Sequence, residues 1–215
     1  GNVNMRALLL ADASINGTSD PFTVHPGPFA KVQVVVPGQS PAPGSVLGFT
    51  GSPATQGAGQ SFRAAVYSVD TYWNPVASGD VVRITSSDPS ATGLGTKTLV
   101  GGLAQFTVAL ATVGTQTLSG NDQTNPGITG TTSAPIQVTN SAPDHFEIEP
   151  FGDQIVAGDT VVVTVRAADV GGNTVPDFDG NAILTANTGP ASISPELIYF
   201  TNGVWTGEVV FRGAG

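Results

Sequence analysis

The sequence contains no cysteine, few basic residues and no long apolar run, and each of these features excludes a class of protein or partner. Without cysteine there is no disulfide, no thiolate metal ligand and no cysteine nucleophile. With 16 acidic residues against 7 basic ones, the net charge of −9 disfavours nucleic acid and anionic membrane surfaces as partners. No apolar run reaches the ~20 residues of a membrane span, so we expect no direct membrane insertion.

Helical periodicity is missing as well. Apolar residues alternate with polar ones over short runs, as in 62–67 and again in 161–166, which is the period of a half-buried strand. The 28 glycines and 16 prolines, together with Asn and Asp, interrupt every long segment within about ten residues. The pattern predicts an all-β fold made of short strands joined by turns.

An internal repeat divides the chain. The segment 58–76 returns at 157–175, and 102–110 returns at 203–211, while 15–24 matches 128–138 as part of a third copy. We therefore predict tandem immunoglobulin-like β-sandwiches, one complete and two partial. Residues 1–27 supply the last two strands of one repeat, 28–140 form a complete domain, and 141–215 supply the first five strands of a further repeat that lacks its final hairpin.

The first and last segments are complementary parts of one repeat. A sandwich without its final hairpin exposes a sheet edge and part of its apolar inner face. Two explanations stay open: the sequence is a window from a longer polypeptide, or the first hairpin inserts into the open sandwich of the next molecule and builds a head-to-tail fibre. The apolar residues of this assembly hairpin are Val3, Met5, Leu8, Leu10, Phe22 and Val24.

A family resemblance rests on five segments, which are Ala58-Gly59-Gln60, 69–76, 86–89, 102–106 and 113–118. They resemble the bacterial immunoglobulin-like (Big) repeats of invasin- and intimin-type adhesins and of very large repetitive surface proteins, over nearly the whole chain. The resemblance implies a place on the outside of a bacterial cell, in a stalk that holds a distal binding domain away from the surface. The first copy departs from the family pattern at Tyr72 and Trp73.

These observations predict a structural stalk or filament segment and not an enzyme. Its partners would be neighbouring repeats or copies of itself, with a surface glycan or receptor as a further option. One alternative is a carbohydrate- or receptor-binding module, in which Trp73, in a turn, and Phe49, in the Pro/Gly-rich insertion 37–56, contact the ligand. Another is an accessory domain of a secreted hydrolase. Trp205, on the inward face of its strand, is expected in the core.

Acidic and amide side chains around one loop make a weak calcium candidate, formed by Asp169, Asn173, Asp177 and Asp179. Calcium takes six to eight oxygens, often from flexible loops; the alternative is that these residues serve turn chemistry. No other cofactor is expected. His25 and His145 lie at predicted junctions about a domain apart and cannot converge on one site, so we expect solvated linker residues.

Overall fold

The computed structural model describes residues 2–152, 154–186 and 193–213. Within these ranges the chain forms strands and turns and has no helix, so the predicted all-β class is confirmed. None of the described residues belongs to a helix long and apolar enough to cross a membrane.

Three groups of strands follow one another along the chain. The N-terminal group is β1 (Asn2–Val3), β2 (Arg6–Leu9), β3 (Asp12–Thr18) and β4 (Phe22–Thr23). The central repeat has β5 (Lys31–Val35), β6 (Gln39–Pro41), β7 (Phe49–Gly51), β8 (Gln56–Gly57), β9 (Ser61–Val69), β10 (Val81–Ser86), β11 (Gly95–Thr98), β12 (Leu103–Ala109), β13 (Gly114–Gln116), β14 (Leu118–Asp122), β15 (Thr131–Thr132) and β16 (Ile136–Thr139). The C-terminal repeat has β17 (Pro143–Ile148), β18 (Thr160–Asp169), β19 (Asn181–Ile183), β20 (Ile193–Ser194), β21 (Leu197–Tyr199) and β22 (Val204–Phe211).

The central repeat is a two-layer sandwich. One sheet has the order β12-β9-β5 and the other the order β11-β10-β14-β15, while β13-β16-β8 forms a third ladder. Alternate residues of these strands point inward and join one buried cluster, which is the expected result of period-two patterning on both layers. The largest fully buried side chains of this core are Phe106, Ile84, Leu99, Leu110, Leu118 and Ile136.

The C-terminal repeat pairs its strands in the same register as the central one. Ala104 lies opposite Val66 in the β12–β9 ladder, and Trp205 lies opposite Val165 in the β22–β18 ladder. A side chain added at Gly207 would collide with the indole of Trp205. The indole therefore fills the space over Gly207, the position equivalent to Phe106, and packs on the second core as predicted.

The N-terminal group has four short strands where the sequence analysis predicted two, and they repeat the last four strands of the central sandwich, β13 to β16. Asn2 and Val3 pair with Thr23 and Phe22, as Thr115 and Gln116 pair with Gln137 and Ile136. A serine hydroxyl closes both hairpins in the same way: Ser19 Oγ accepts the N–H of Met5 at 3.0 Å, and Ser133 Oγ accepts that of Leu118 at 3.1 Å. By this register Thr18 corresponds to Thr132, one residue from the sequence match.

Candidate functional site

An aspartate at the end of β18 holds both its own turn and the linker from the preceding repeat. The Asp169 side chain is fully buried. Its Oδ1 accepts the N–H groups of Gly171 and Asn173 at 2.9 Å each, and its Oδ2 accepts the N–H of Ser141 at 3.2 Å. Burial acts to raise the pKa of Asp169, but these hydrogen bonds, led by those from Asn173, outweigh it and lower the pKa. The carboxylate is therefore ionised and fully engaged at neutral pH.

Side chains bridge the same linker to the repeats on both sides. Ser141 Oγ donates to the carbonyl of Ala58 in the central repeat at 3.0 Å. Asn140 Nδ2 donates to the carbonyl of Thr174 in the C-terminal repeat at 2.9 Å. Asn173 Nδ2 crosses the junction directly and donates to the carbonyl of Ala111 at 2.6 Å. Three side-chain hydrogen bonds thus fix the second repeat against the first.

Two glycines bring the backbones of the repeats close together. A Cβ on Gly59 would lie within 3.0 Å of the Val170 side chain, and a Cβ on Gly171 would lie 2.7 Å from the carbonyl oxygen of Ala111. Gly59 also has φ +72°, a left-handed conformation that favours glycine. A side chain at either position would separate the repeats.

The turn after β9 carries the same carboxylate clamp. Asp70 Oδ2 accepts the N–H of Gly27 at 2.8 Å and Nδ2 of Asn74 at 2.9 Å, and its Oδ1 accepts the N–H groups of Tyr72 and Asn74. Burial again opposes ionisation, but the hydrogen bonds from Asn74, Gly27 and Tyr72 lower the pKa of Asp70 to about 2. Gly27 therefore occupies the place that Ser141 occupies at the next junction.

The insertion 37–56 folds back over Trp73. Trp73 Nε1 donates to the carbonyl of Val46 at 3.3 Å, and Gly48 lies so close to the indole that a Cβ there would overlap it. Lys31 Nζ sits 4.0 Å above the ring centroid. A ligand that stacks on Trp73 must therefore compete with these contacts, and this role stays a prediction.

Around that ring, apolar side chains of the insertion and the Tyr72 side chain of the turn are exposed to solvent. Val46 is 94% exposed and Tyr72 is 71% exposed, and Leu47 is also exposed. Phe49, the other proposed ligand contact, lies half-buried on β7. Its role in binding likewise stays a prediction.

The assembly hairpin exposes the face that its counterpart buries. Met5 corresponds to Leu118 and Phe22 to Ile136, which are fully buried in the central core. Met5 is 69% exposed. The other residues predicted for this hairpin, which are Val3, Leu8, Leu10, Phe22 and Val24, are exposed too.

The C-terminal repeat leaves apolar side chains of its first strand exposed. In the central repeat Val32 and Val34 are buried under Gly120 of β14. Their counterparts in β17, Phe146 and Ile148, are about half exposed. An apolar groove of roughly 120 Å³ opens beside them, lined by Ile148, Phe151, Val163, Leu184, Val209 and Phe211 among others. Within the described residues β19 pairs with β21 alone, whereas β10 pairs on both sides.

The calcium candidates are only partly brought together. Asp169 and Asn173 share the clamp, but Asp179 caps another turn by accepting the N–H of Asn202 at 2.8 Å, and Asp177 is exposed. No group of three or more His, Asp or Glu side chains in the described part of the chain is placed to hold a metal ion. Calcium binding stays a prediction, and it would require Asp169 to give up its hydrogen bonds.

The histidines lie far apart in the structure as well. His25 is exposed in the first linker. His145 was expected in a linker but lies within β17, where Nδ1 is 3.1 Å from an Asp144 oxygen. Asp144, and then Glu147, raise the pKa of this imidazole.

Asp88 is a structural group that the sequence patterns did not single out. Its buried carboxylate accepts the N–H groups of Ser90, Ala111 and Thr112 and the Thr112 hydroxyl, at 2.7–3.0 Å. The Ser-Asp-Pro-Ser sequence indicates a turn, but the partners at 111 and 112 are distant along the chain. The sequence patterns likewise did not predict the roles of Gly59, Ser141 and Gly171, because these roles depend on contacts with the neighbouring repeat.

Comparison with solved structures returns bacterial surface proteins. The Escherichia coli adhesin FdeC matches over 99% of this chain and 66% of its own, with 14% identity and a TM-score of 0.42. Invasin, a bacterial integrin-binding protein, matches over 86% of this chain and 34% of its own, with 13% identity and a TM-score of 0.38. Domains 5–6 of the S-layer protein SbsC match over 88% of this chain and 86% of theirs, with 19% identity and a TM-score of 0.33.

The chain therefore spans about two thirds of the adhesin chain and one third of the invasin chain. No protein-family model matches the sequence, and no curated protein matches it. These surface proteins are of the kind that the sequence resemblance named. At such identities, and with TM-scores below 0.5, these structures do not indicate what this chain does, which has to follow from its own contacts.

Proposed function

We propose that this chain is a section of a bacterial surface stalk in which immunoglobulin-like sandwiches are joined end to end. The observation that carries the proposal is the hydrogen-bonded joint at 140–141. Asp169 holds the incoming linker to the end of β18 through the N–H of Ser141, and the side chains of Ser141 and Asn173 donate to the carbonyls of Ala58 and Ala111 in the central repeat. A stalk needs joints of this kind, because a free linker would let successive domains reorient independently.

Pulling on single molecules tests the mechanical role. Handles at the two ends of the full chain would load the central repeat, residues 28–140, between its first and last strands. We expect one discrete unfolding step that releases roughly 400 Å of chain, the extended length of this domain at about 3.3–3.6 Å per residue. Gradual extension without a step would contradict a load-bearing role.

A glycan array separates the stalk from a binding module. If the chain is a spacer, no glycan is retained, and replacing Trp73 by alanine changes nothing in this assay. Retention of a glycan that is lost in Trp73→Ala and kept in Trp205→Ala would instead favour the carbohydrate-binding alternative, because Trp205 packs on the core.

Head-to-tail assembly by strand complementation is a second candidate, favoured by the matched exposed faces. The hairpin 2–24 presents Met5 and Phe22, whose counterparts are buried in the complete sandwich. The open repeat presents Ile148 beside an apolar groove, at the position where the central repeat is covered by β14.

Particle size as a function of concentration tests this candidate. We expect light scattering of the purified chain to show oligomers. Met5→Asp should dissociate them, because the aspartate would be buried in the contact without a charge partner. Val46→Asp is the matched control, since Val46 is equally apolar but lies exposed in the insertion. A monomer at all concentrations, or equal loss with the control, would reject complementation between molecules while leaving the stalk intact.

A further inference from the structure

We infer that the two joints of this chain differ in stiffness. The joint at 140–141 holds its two repeats in a fixed orientation, whereas the joint at 26–27 is a flexible hinge because Tyr72 prevents the preceding repeat from docking in the same way. This inference goes beyond the stalk role, because it assigns different stiffness to successive joints.

The equivalence of the joints is fixed by hydrogen bonding and backbone conformation. Gly27 and Ser141 donate the same N–H to the same Oδ2 of the clamp aspartate. In the turns that follow, Trp73 has φ +68° and Gly172 has φ +81°, the left-handed conformation at the same step. Tyr72 therefore stands where the second joint has Gly171.

Two residue differences remove side-chain bridges of the second joint from the first one. Pro26 stands in the place of Asn140 and has no side-chain donor for the following repeat. Gly27 stands in the place of Ser141 and has no hydroxyl to bond the preceding one. Both bridges that flank the clamp at 140–141 are therefore absent at 26–27 by residue type alone.

Tyr72 adds a steric block to these losses. At Gly171 even a Cβ would lie 2.7 Å from the Ala111 carbonyl oxygen and 3.2 Å from the Cβ of Ala58. A tyrosine in that position cannot coexist with a preceding repeat docked in the same way. Tyr72 therefore differs from Gly171 by a whole side chain at the position of closest approach between the repeats.

The insertion stabilises the altered turn from its other side. A left-handed φ is unfavourable for a non-glycine residue such as Trp73. The contacts of its indole with Gly48, Lys31 and the Val46 carbonyl offset this cost, and Gly44 donates its N–H to the Tyr72 carbonyl at 2.8 Å. The insertion and the aromatic pair thus form one unit, and the C-terminal repeat has neither.

Distances between spin labels across the 140–141 joint test the inference in the full chain. Because the protein has no cysteine, Thr96→Cys and Glu208→Cys, both exposed, place one label in each repeat. We expect a single narrow distance distribution. Asn140→Pro, Ser141→Gly and Gly171→Tyr together convert the joint to the residues found at 26–27, and we expect the distribution to broaden at least about twofold, as for domains without a fixed interface.

Two further variants keep the result interpretable. Ser141→Gly alone removes one bridge and adds no atoms, so it should broaden the distribution by less than the triple change. Gly79→Tyr introduces the same side chain at an exposed glycine with nothing within 4 Å and should leave the distribution narrow. A broad distribution before substitution, or a triple variant as narrow as the original, would overturn the inference. Neither result bears on the unfolding step of the central repeat, which tests the stalk role.

Discussion

The central and C-terminal repeats share one strand register and differ in how their first strands are covered. Val32 and Val34 in β5 are buried, whereas Phe146 and Ile148, at the same positions of β17, are about half exposed. The difference arises from β14 and the segment after it, which close the central sandwich. Gly120 packs on both valines, and the backbone carbonyl of Thr129 accepts the N–H of Val32 at 2.8 Å. In this fold, therefore, the last hairpin of a repeat is what buries its first strand.

The largest expected effect lies in the closed core. Phe106→Ala removes a ring that is only 2% exposed and should destabilise the central repeat by about 4 kcal/mol. Thermal unfolding followed by circular dichroism measures the loss. Leu47→Ala, in the exposed part of the insertion, is the control and should stay within about 0.5 kcal/mol. Equal effects would mean that the central core is not the cooperative unit.

Asp88→Ala should follow, with a loss of about 3 kcal/mol, because it removes the buried carboxylate that accepts the N–H groups of Ala111 and Thr112 and the Thr112 hydroxyl. Denaturant unfolding at neutral pH gives the value. Asp88→Asn keeps the shape and one acceptor oxygen and should recover part of the loss. If both variants were as stable as the parent, the carboxylate would have no role in closing the sandwich.

A matched pair tests the comparison of first strands directly. Val34→Ala should cost about 2 kcal/mol, whereas Ile148→Ala, at the same register position of the open repeat, should cost no more than about 1 kcal/mol. Hydrogen exchange of the strand amides separates the two repeats. A cost at Ile148 as large as that at Val34 would show that a hairpin covers β17 in solution.

The smallest expected effect is the change in stability between pH 7 and pH 3 that arises from Asp70, the aspartate of the first clamp. The pKa of Asp70 is about 2 in the folded protein against 3.8 for an unperturbed aspartate, so its stabilisation is complete above pH 3.8. As the pH falls from 3.8 towards 2, the unfolded state binds the proton and the folded state does not, so stability declines. Asp70→Asn should flatten this part of a curve of melting temperature against pH. An unchanged slope in the variant would assign the acid loss to other carboxylates.

Much of the organisation was readable from the sequence. Alternating residues in 62–67 and 161–166 gave the strands and their inward faces, because a strand buried on one side must repeat every two residues. The self-match of 58–76 with 157–175 anticipated the shared register. The inward position of Trp205 on its strand anticipated that the indole packs on the core, where it fills the space over Gly207.

Tertiary structure decided what the junctions do. Asp169, Asn173 and Gly171 have the composition of any turn. The incoming linker makes Asp169 a clamp, and the approach of the preceding repeat makes Asn173 a bridge and Gly171 a close contact. The carbohydrate-binding alternative takes Trp73 as a turn residue that contacts a ligand, yet its surroundings come from an insertion and from Lys31, both remote in sequence. The physical reason is common to all of them: local patterns specify dihedral angles and faces, whereas the groups that meet at a joint are brought there by the packing of whole domains.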